Sequence, residues 1–186
     1  MSSVLVLSGP SGVGKTTIAK EFQNCHKDFI ISISATTRPR RNVEKDGIDY
    51  KFMDESRFKK GIESNEFLEY EQVYGYFYGT PKSHIDTLIK SGKSIIFDID
   101  VNGAMNIKRF YPGAVMIFIK PPSYEELRNR LIKRKSENHE RIKKRLQRLS
   151  FEYDNAKNFD YIIVNEHLGK TIKQIEDIVF TVKDKQ

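Results

Sequence analysis

Tryptophan is missing from the 186 residues, and cysteine occurs once, as Cys25. A lone thiol cannot close a disulfide within the chain, and the lack of a cysteine cluster argues against a structural zinc site. Cys25 has no obvious activating partner nearby in sequence and reads as an inert thiol. No apolar run approaches the roughly 18 residues of a membrane span, and the opening MSSVLVLSG has no basic start. The expectation is a cytoplasmic protein with neither a signal peptide nor a membrane partner. Internal repeats, low-complexity tracts and linkers are missing as well. A chain of this length can bury one substantial core, so a single domain over residues 1–186 is expected.

Charge is plentiful but uneven. Between Lys120 and Arg148 lie eleven basic and four acidic residues, an excess equal to the whole chain's net charge of +7. Such a local positive field draws polyanions, either nucleic acid or the phosphates of a nucleotide, although a solvated helical face is an equally simple reading.

Short apolar runs alternate with helical spacings. Val4 to Leu7, Phe29 to Ile33, Ser94 to Phe97, Val115 to Ile119 and Tyr161 to Val164 read as strands. Helices are expected from Lys15 to about Asn24, from a capping box at Ser123 and Glu126, and from Thr171 to Val182. This rhythm predicts an α/β fold with a mainly parallel sheet covered by helices on both faces. Two segments interrupt it: a β-rich insertion from Arg38 to about Gly79, with turn chemistry at Asp46 and Gly47, and a basic helical hairpin from Arg128 to Arg148.

GPSGVGKT, Gly9 to Thr16, fits the phosphate-loop pattern GxxxxGK(S/T) and falls between an expected strand and an expected helix. Gly9, Gly12 and Gly14 allow backbone N–H groups to turn toward phosphate oxygens, along a loop that also contains Pro10, Ser11 and Val13. Lys15 supplies a point charge for the β and γ phosphates, Thr16 a hydroxyl for Mg2+, and Thr17 a contact to the α phosphate. GTPases, motor ATPases and small-molecule kinases all use this loop, so it does not name the acceptor.

In SISATTRPRR, Ser34, Arg38 and Arg41 suit a second phosphate monoester, with Arg40 as the spare; solvated surface charge is the plain alternative. Asp98 and Asp100 follow an expected strand, where open parallel sheets place their ligands, although one of the pair could simply cap the next helix. Arg130 with Arg134, and Arg141 with Arg145, are each four residues apart and can share a helical face.

SGPSGVGK, SATTRxxR, GxDYxF, EFLEY, YGT and DIDVNGA occur in the order and spacing of guanylate kinases, a resemblance that runs from Val4 to about Phe180. It implies a P-loop kinase core (about 1–34, 80–127 and 149–186), a GMP-binding lobe (about 35–79) and a lid (about 128–148). It further implies that Ser34, Arg38, Arg41, Tyr50 and Tyr78 hold the GMP phosphate, and that Glu69 and Thr80 read guanine with Asp98 assisting. An ionised carboxylate and a hydroxyl donor match the N1–H, the exocyclic amine and O6 of guanine, and adenine would leave the carboxylate unpaired. Gly103 permits a close approach of the following helix, and Asp100 is assigned to Mg2+ through water, with the roles of Asp98 and Asp100 exchangeable. Arg134 and Arg145 match lid arginines that contact the triphosphate and the transferred group, and Asn165 is expected to face the adenine of ATP.

The implied activity is Mg2+-assisted transfer of a phosphoryl group from ATP to GMP, and to dGMP, with Lys15, Arg38, Arg41, Arg134 and Arg145 stabilising the charge. No nucleic-acid partner is expected, because no aromatic platform accompanies the basic segment. The oligomeric expectation is a monomer or weak homodimer. The rival reading is a phosphopeptide-binding scaffold domain of the same fold, which typically has a degraded phosphate loop. The chain departs from the family pattern at Pro39 and Arg40, Val43, Tyr70 and Lys135.

Overall fold

The computed structural model describes residues 2–133 and 139–183. Its central sheet has the order β2-β7-β1-β8-β9. These strands are Phe29–Ile31 (β2), Ser94–Asp98 (β7), Val4–Ser8 (β1), Val115–Lys120 (β8) and Tyr161–Val164 (β9). Every pairing in the sheet is parallel. β1 lies at the centre, and Leu5, Val6 and Leu7 are at most 1% exposed. A strand with neighbours on both edges and helices on both faces has no solvent side, which is why its sequence is continuously apolar and not alternating.

Two apolar layers flank the sheet. On one face Ile18 and Phe22 of α1 (Lys15–Cys25), Leu127 and Leu131 of α5 (Tyr124–Lys133), and Ile175 and Val179 of α8 (Leu168–Lys183) share a core with Leu5 and Leu7. On the other, Ile85 of α3 (Lys82–Lys90) and Ala104 and Ile107 of α4 (Val101–Phe110) pack on Val6 and Phe97. The serine half of the capping box expected at Ser123 is present, with the Ser123 hydroxyl accepting from the N–H of Glu126 at 3.1 Å, while the Glu126 carboxylate accepts from Arg130 at 2.9 Å. The second strand is shorter than its apolar run, ending at Ile31. β9 is an edge strand in which only Ile163 is buried.

The insertion folds as a second sheet, β4-β3-β6-β5, made of Ala35–Thr36 (β3), Lys51–Phe52 (β4), Phe67–Val73 (β5) and Tyr76–Pro81 (β6). Helix α2 (Glu55–Glu63) supplies Phe58, which stacks on Phe67 at 4.3 Å and on Phe77 at 5.3 Å between ring centroids. The β5–β6 hairpin turns through Tyr74 and Gly75, both with positive φ (53° and 82°). Two such residues give the mirror-image turn whose twist matches that of the flanking strands. Of the basic segment, the end of α5 up to Lys133 and α6 (His139–Gln147) are described, and α7 (Leu149–Asn155) follows it. Arg134 and Lys135 lie outside the described residues.

Register determines what meets at the carboxyl edge of the main sheet. Leu7 of β1 pairs with Asp98 of β7, so the loop after β1 emerges beside the carboxylate that ends β7. This is the edge at which open α/β sheets bind ligands.

Candidate active site

In the loop after β1, Gly9, Gly12 and Gly14 have φ of 135°, 93° and 108°. A Cβ on Gly9 would stand 2.2 Å from the Ile119 carbonyl oxygen, so any side chain there would collide with β8. α1 starts at Lys15 with no side-chain cap, and its first amides and dipole are left to an anion. The Lys15 ammonium is folded over the loop, donating to the carbonyls of Gly9 at 2.7 Å and Pro10 at 3.3 Å. Thr16 donates its hydroxyl to Oδ2 of Asp98. Arg145 reaches the loop from the lid side and donates to the Ser11 hydroxyl.

The second anion site is organised around a carboxylate that sequence reading missed. Glu44 accepts two bonds from the Arg38 guanidinium, at 2.8 and 3.1 Å, and one from the Arg41 backbone N–H at 2.8 Å. The Arg41 guanidinium lies 3.6 Å from the same carboxylate. Burial by itself would raise the pKa of Glu44 and lower that of Arg38. Their pairing outweighs burial in both, holding the carboxyl below and the guanidinium above the ordinary value. Arg38 also lies over the ring of Tyr50 at 5.3 Å, and Tyr50 meets Tyr78 edge to face at 6.2 Å. Ser34 is buried at the same wall.

A buried carboxylate lines the same cleft. Glu69 is 7% exposed, and its Oε1 accepts from the Thr80 hydroxyl at 2.6 Å. Burial pushes its carboxyl up to about 7, against the opposing effect of Thr80, and Asp100 pushes the same way as burial. Oε2 of Glu69 would be 2.7 Å from a Cβ on Gly103, so only glycine lets the first turn of α4 approach this carboxylate.

Three side chains expected to meet ligands, Asp98, Asp100 and Asn165, have partners within the protein. Of the two carboxylates whose nucleotide and Mg2+ roles were left exchangeable, Asp98 accepts from the Thr16 hydroxyl, while Asp100 caps α4 by accepting from the Gly103 N–H at 2.9 Å and pairs with Arg148 at 2.6 Å. The pairing of Leu7 with Asp98 brings the earlier carboxylate to the loop, and the later one, which also lines the cleft, is held by the cap and by Arg148. The Asn165 side chain, expected to face the adenine, is 8% exposed, donates to the Val13 carbonyl at 2.8 Å, and accepts from the Thr171 hydroxyl at 3.1 Å. Arg130 likewise props the loop from outside, donating to the carbonyls of Val13 at 3.2 Å and Asn165 at 3.3 Å. The other residues missed by sequence reading are Tyr74, for which the turn dipeptide Tyr74-Gly75 was the available signal, and Arg148, which had been counted only as charge.

One cavity of about 600 Å3 is lined both by Gly9, Lys15 and Thr16 of the phosphate loop and by Arg38, Arg41, Tyr78 and Glu69, together with Asp98, Asp100 and Arg145. Among the described residues no three His, Cys, Asp or Glu side chains cluster as a metal cage. The hydroxyl of Thr16 with the carboxylate of Asp98 is nonetheless a hard-oxygen pair of the kind Mg2+ takes when phosphates complete its shell. Among the described residues no helix is long and apolar enough to cross a membrane.

The sequence model of the family described as guanylate kinase matches residues 1–182. A guanylate kinase of Clostridium perfringens (strain 13) is 43% identical over 180 residues, covering 97% of this chain and 83% of that protein. One of Thermotoga maritima is 42% identical over 176 residues, covering 95% and 85%. The crystal structure of guanylate kinase from Anaplasma phagocytophilum superposes with a TM-score of 0.79 at 33% identity, over 97% of this chain and 85% of that one. The glycine loop, the paired arginines and the buried Glu69 thus lie in a chain that belongs to the guanylate kinase family.

Proposed function

We propose that this chain transfers the γ-phosphoryl group of ATP to the phosphate of GMP, giving ADP and GDP. The observation that carries the reading is the single cavity joining the phosphate loop to the Arg38 and Arg41 site. Two anion sites in one cleft allow direct in-line transfer, with no covalent intermediate on the protein. The intact loop argues against a scaffold domain that only binds.

The attacking oxygen belongs to the GMP phosphate, and the bond to be broken joins the γ phosphorus to the bridging oxygen of ATP. The repulsion between two polyanions is the main obstacle. Lys15 leaves its carbonyl partners for the β and γ oxygens, and Arg38 exchanges Glu44 for the GMP phosphate, assisted by Arg41, Ser34, Tyr50 and Tyr78. Arg145, already against Ser11, is placed to follow the transferred group, and Arg134 is proposed for the same task. Fixed charges of this kind stabilise the transition state most when water is excluded. Thr16 and Asp98, or Asp100 with the two roles exchanged, would hold Mg2+, which would further neutralise the triphosphate.

Glu69 reads the N1–H and exocyclic amine of guanine, with Thr80 and Gly103 fixing its two oxygens. The reading assigns no residue to the ribose 2′-hydroxyl, so dGMP is proposed as a second acceptor. A single thiol suits a reducing cytoplasm, and the reading is of a monomer or weak homodimer. A coupled assay of ADP release with GMP, dGMP, AMP, CMP and UMP tests the assignment. Turnover with GMP and dGMP at least about a hundredfold above AMP is expected, whereas equal turnover with AMP would refute the guanine pocket.

A further inference from the structure

Arg148 is the residue that the phosphoryl-transfer reading leaves without a task. It stands between the end of α6 and the start of α7, three residues after Arg145, and its N–H donates to the Arg145 carbonyl at 3.3 Å. Its guanidinium reaches Asp100 at 2.6 Å, and its Nε lies 3.9 Å from Oε1 of Glu152 one turn later. On its other side is the ring of Tyr74, with centroid distances of 5.8 Å to Arg148 and 5.1 Å to Arg145. Glu152 is itself 5% exposed, lines the cleft, and has an Oε2 with no hydrogen-bond partner.

Three elements therefore converge on one side chain: the turn between α6 and α7, the first turn of α4 and the tip of the β5–β6 hairpin. The contact with α4 leads directly to the base pocket. Asp100, paired with Arg148, also caps the Gly103 N–H, and Gly103 is the glycine against which Oε2 of Glu69 rests. Charge points in the same direction. Without the guanidinium, Asp100 and Glu152 would face the cleft as carboxylates, in a site that must accept two polyanions.

We propose that Arg148 is a positioning residue for the acceptor nucleotide, tying the lid-side turn to the α4 end of the base pocket and neutralising Asp100 and Glu152 beneath the bound phosphates. This proposal rests on the GMP reading of the cleft. It acts through Asp100 and Tyr74.

The test is steady-state kinetics of the full chain with GMP and with ATP varied separately, beside thermal unfolding. Arg148→Met keeps the apolar stem over Tyr74 and removes the charge, and Arg148→Lys keeps the charge without the planar fork. The methionine variant should raise the KM for GMP about tenfold while the KM for ATP and the unfolding midpoint hold nearly constant, the loss expected when one member of a partly buried ion pair is removed. The lysine variant should recover most of that loss. In an Asp100→Asn background, where the amide still caps α4 but needs no counter-charge, Arg148→Met should change the KM for GMP by no more than about twofold, since the two residues act as one unit. An unchanged KM for GMP in Arg148→Met, or KM values for both nucleotides rising together with a lowered unfolding midpoint, would overturn the proposal. If the unmutated chain does not phosphorylate GMP at all, the substrate reading fails first and takes the proposal with it; that outcome is read from the unmutated protein alone.

Discussion

Thr80 donates its hydroxyl to Oε1 of Glu69 across 2.6 Å, and both residues are almost completely withdrawn from water. One hydrogen bond does not make up for the hydration this carboxylate has lost, and its pKa rises from the ordinary 4.5 to about 7. The empty protein is thus poised to hold a proton at the position proposed to accept from guanine.

The KM for GMP should therefore fall as pH rises from 6 to 8 and level off above that, changing by about tenfold per unit on the acid side. GMP's own phosphate also titrates, near about 6, so the profile should be measured alongside Glu69→Gln. That variant should bind GMP poorly at every pH and lose the limb near 7, keeping only the phosphate limb. Stability should run the other way. Between about 4.5 and 7 the folded chain holds a proton that the unfolded chain has released, so this group's contribution is complete below 4.5 and is lost as pH rises through 7. A KM for GMP that is flat through pH 7 would mean that Glu69 is already ionised in the empty cleft.

Lys15→Ala removes the only charge that the loop itself contributes to the phosphates. Turnover should fall by about a hundredfold to a thousandfold, as for other preorganised charges at a transferring group. GMP affinity, measured by titration calorimetry without ATP, should change by less than about threefold, because Lys15 bonds Gly9 and Pro10 and not the Arg38 site. Unchanged turnover would remove the loop from the mechanism.

Gly103→Ala tests the seat of the base-reading carboxylate. The added methyl would stand 2.7 Å from Oε2 of Glu69 and 3.2 Å from Oδ1 of Asp100, and one of the two must move. Overpacking of this kind costs about 1–3 kcal/mol, which corresponds to a KM for GMP raised roughly tenfold or more, with the KM for ATP nearly unchanged. Equal effects on both nucleotides would show that the helix, and not Glu69, had moved.

These sites were legible in the sequence to very different degrees, for a physical reason. The phosphate loop is contiguous, and its glycines, lysine and threonine act through local backbone geometry, so spacing alone was enough to identify it. The central strands were legible because burial on both faces leaves an unbroken apolar run. Partnerships across the fold were not. Asp98 and Asp100 are two residues apart and chemically identical, and only the register of β1 on β7 and the cap on Gly103 give them different tasks. Glu44 lies three residues from Arg41 on a loop with no periodicity, and nothing in the sequence shows that it occupies Arg38. Arg148 and Asp100 are 48 positions apart, and in composition the arginine is one more charge on a basic helix.

Asn165 has two readings, an adenine contact and a prop of the phosphate loop, and the difference between them can be measured. An adenine contact and a loop prop both predict weaker ATP binding on Asn165→Ala, but they differ for other triphosphates. The side-chain amide is buried, donates to Val13 and accepts from Thr171, and its Nδ2 would lie 2.7 Å from a Cβ on Gly14. Removing it leaves the Val13 carbonyl with one donor fewer and opens space under the glycine loop, at a cost of about 1–3 kcal/mol. The loss should appear both in the unfolding midpoint and in affinity for any nucleotide that uses the loop. Binding of ATP, GTP and inorganic triphosphate to Asn165→Ala should fall by the same factor within about twofold, because the prop acts on the phosphate site and not on the base. A loss confined to ATP would restore Asn165 to the adenine and require its side chain to turn outward on binding.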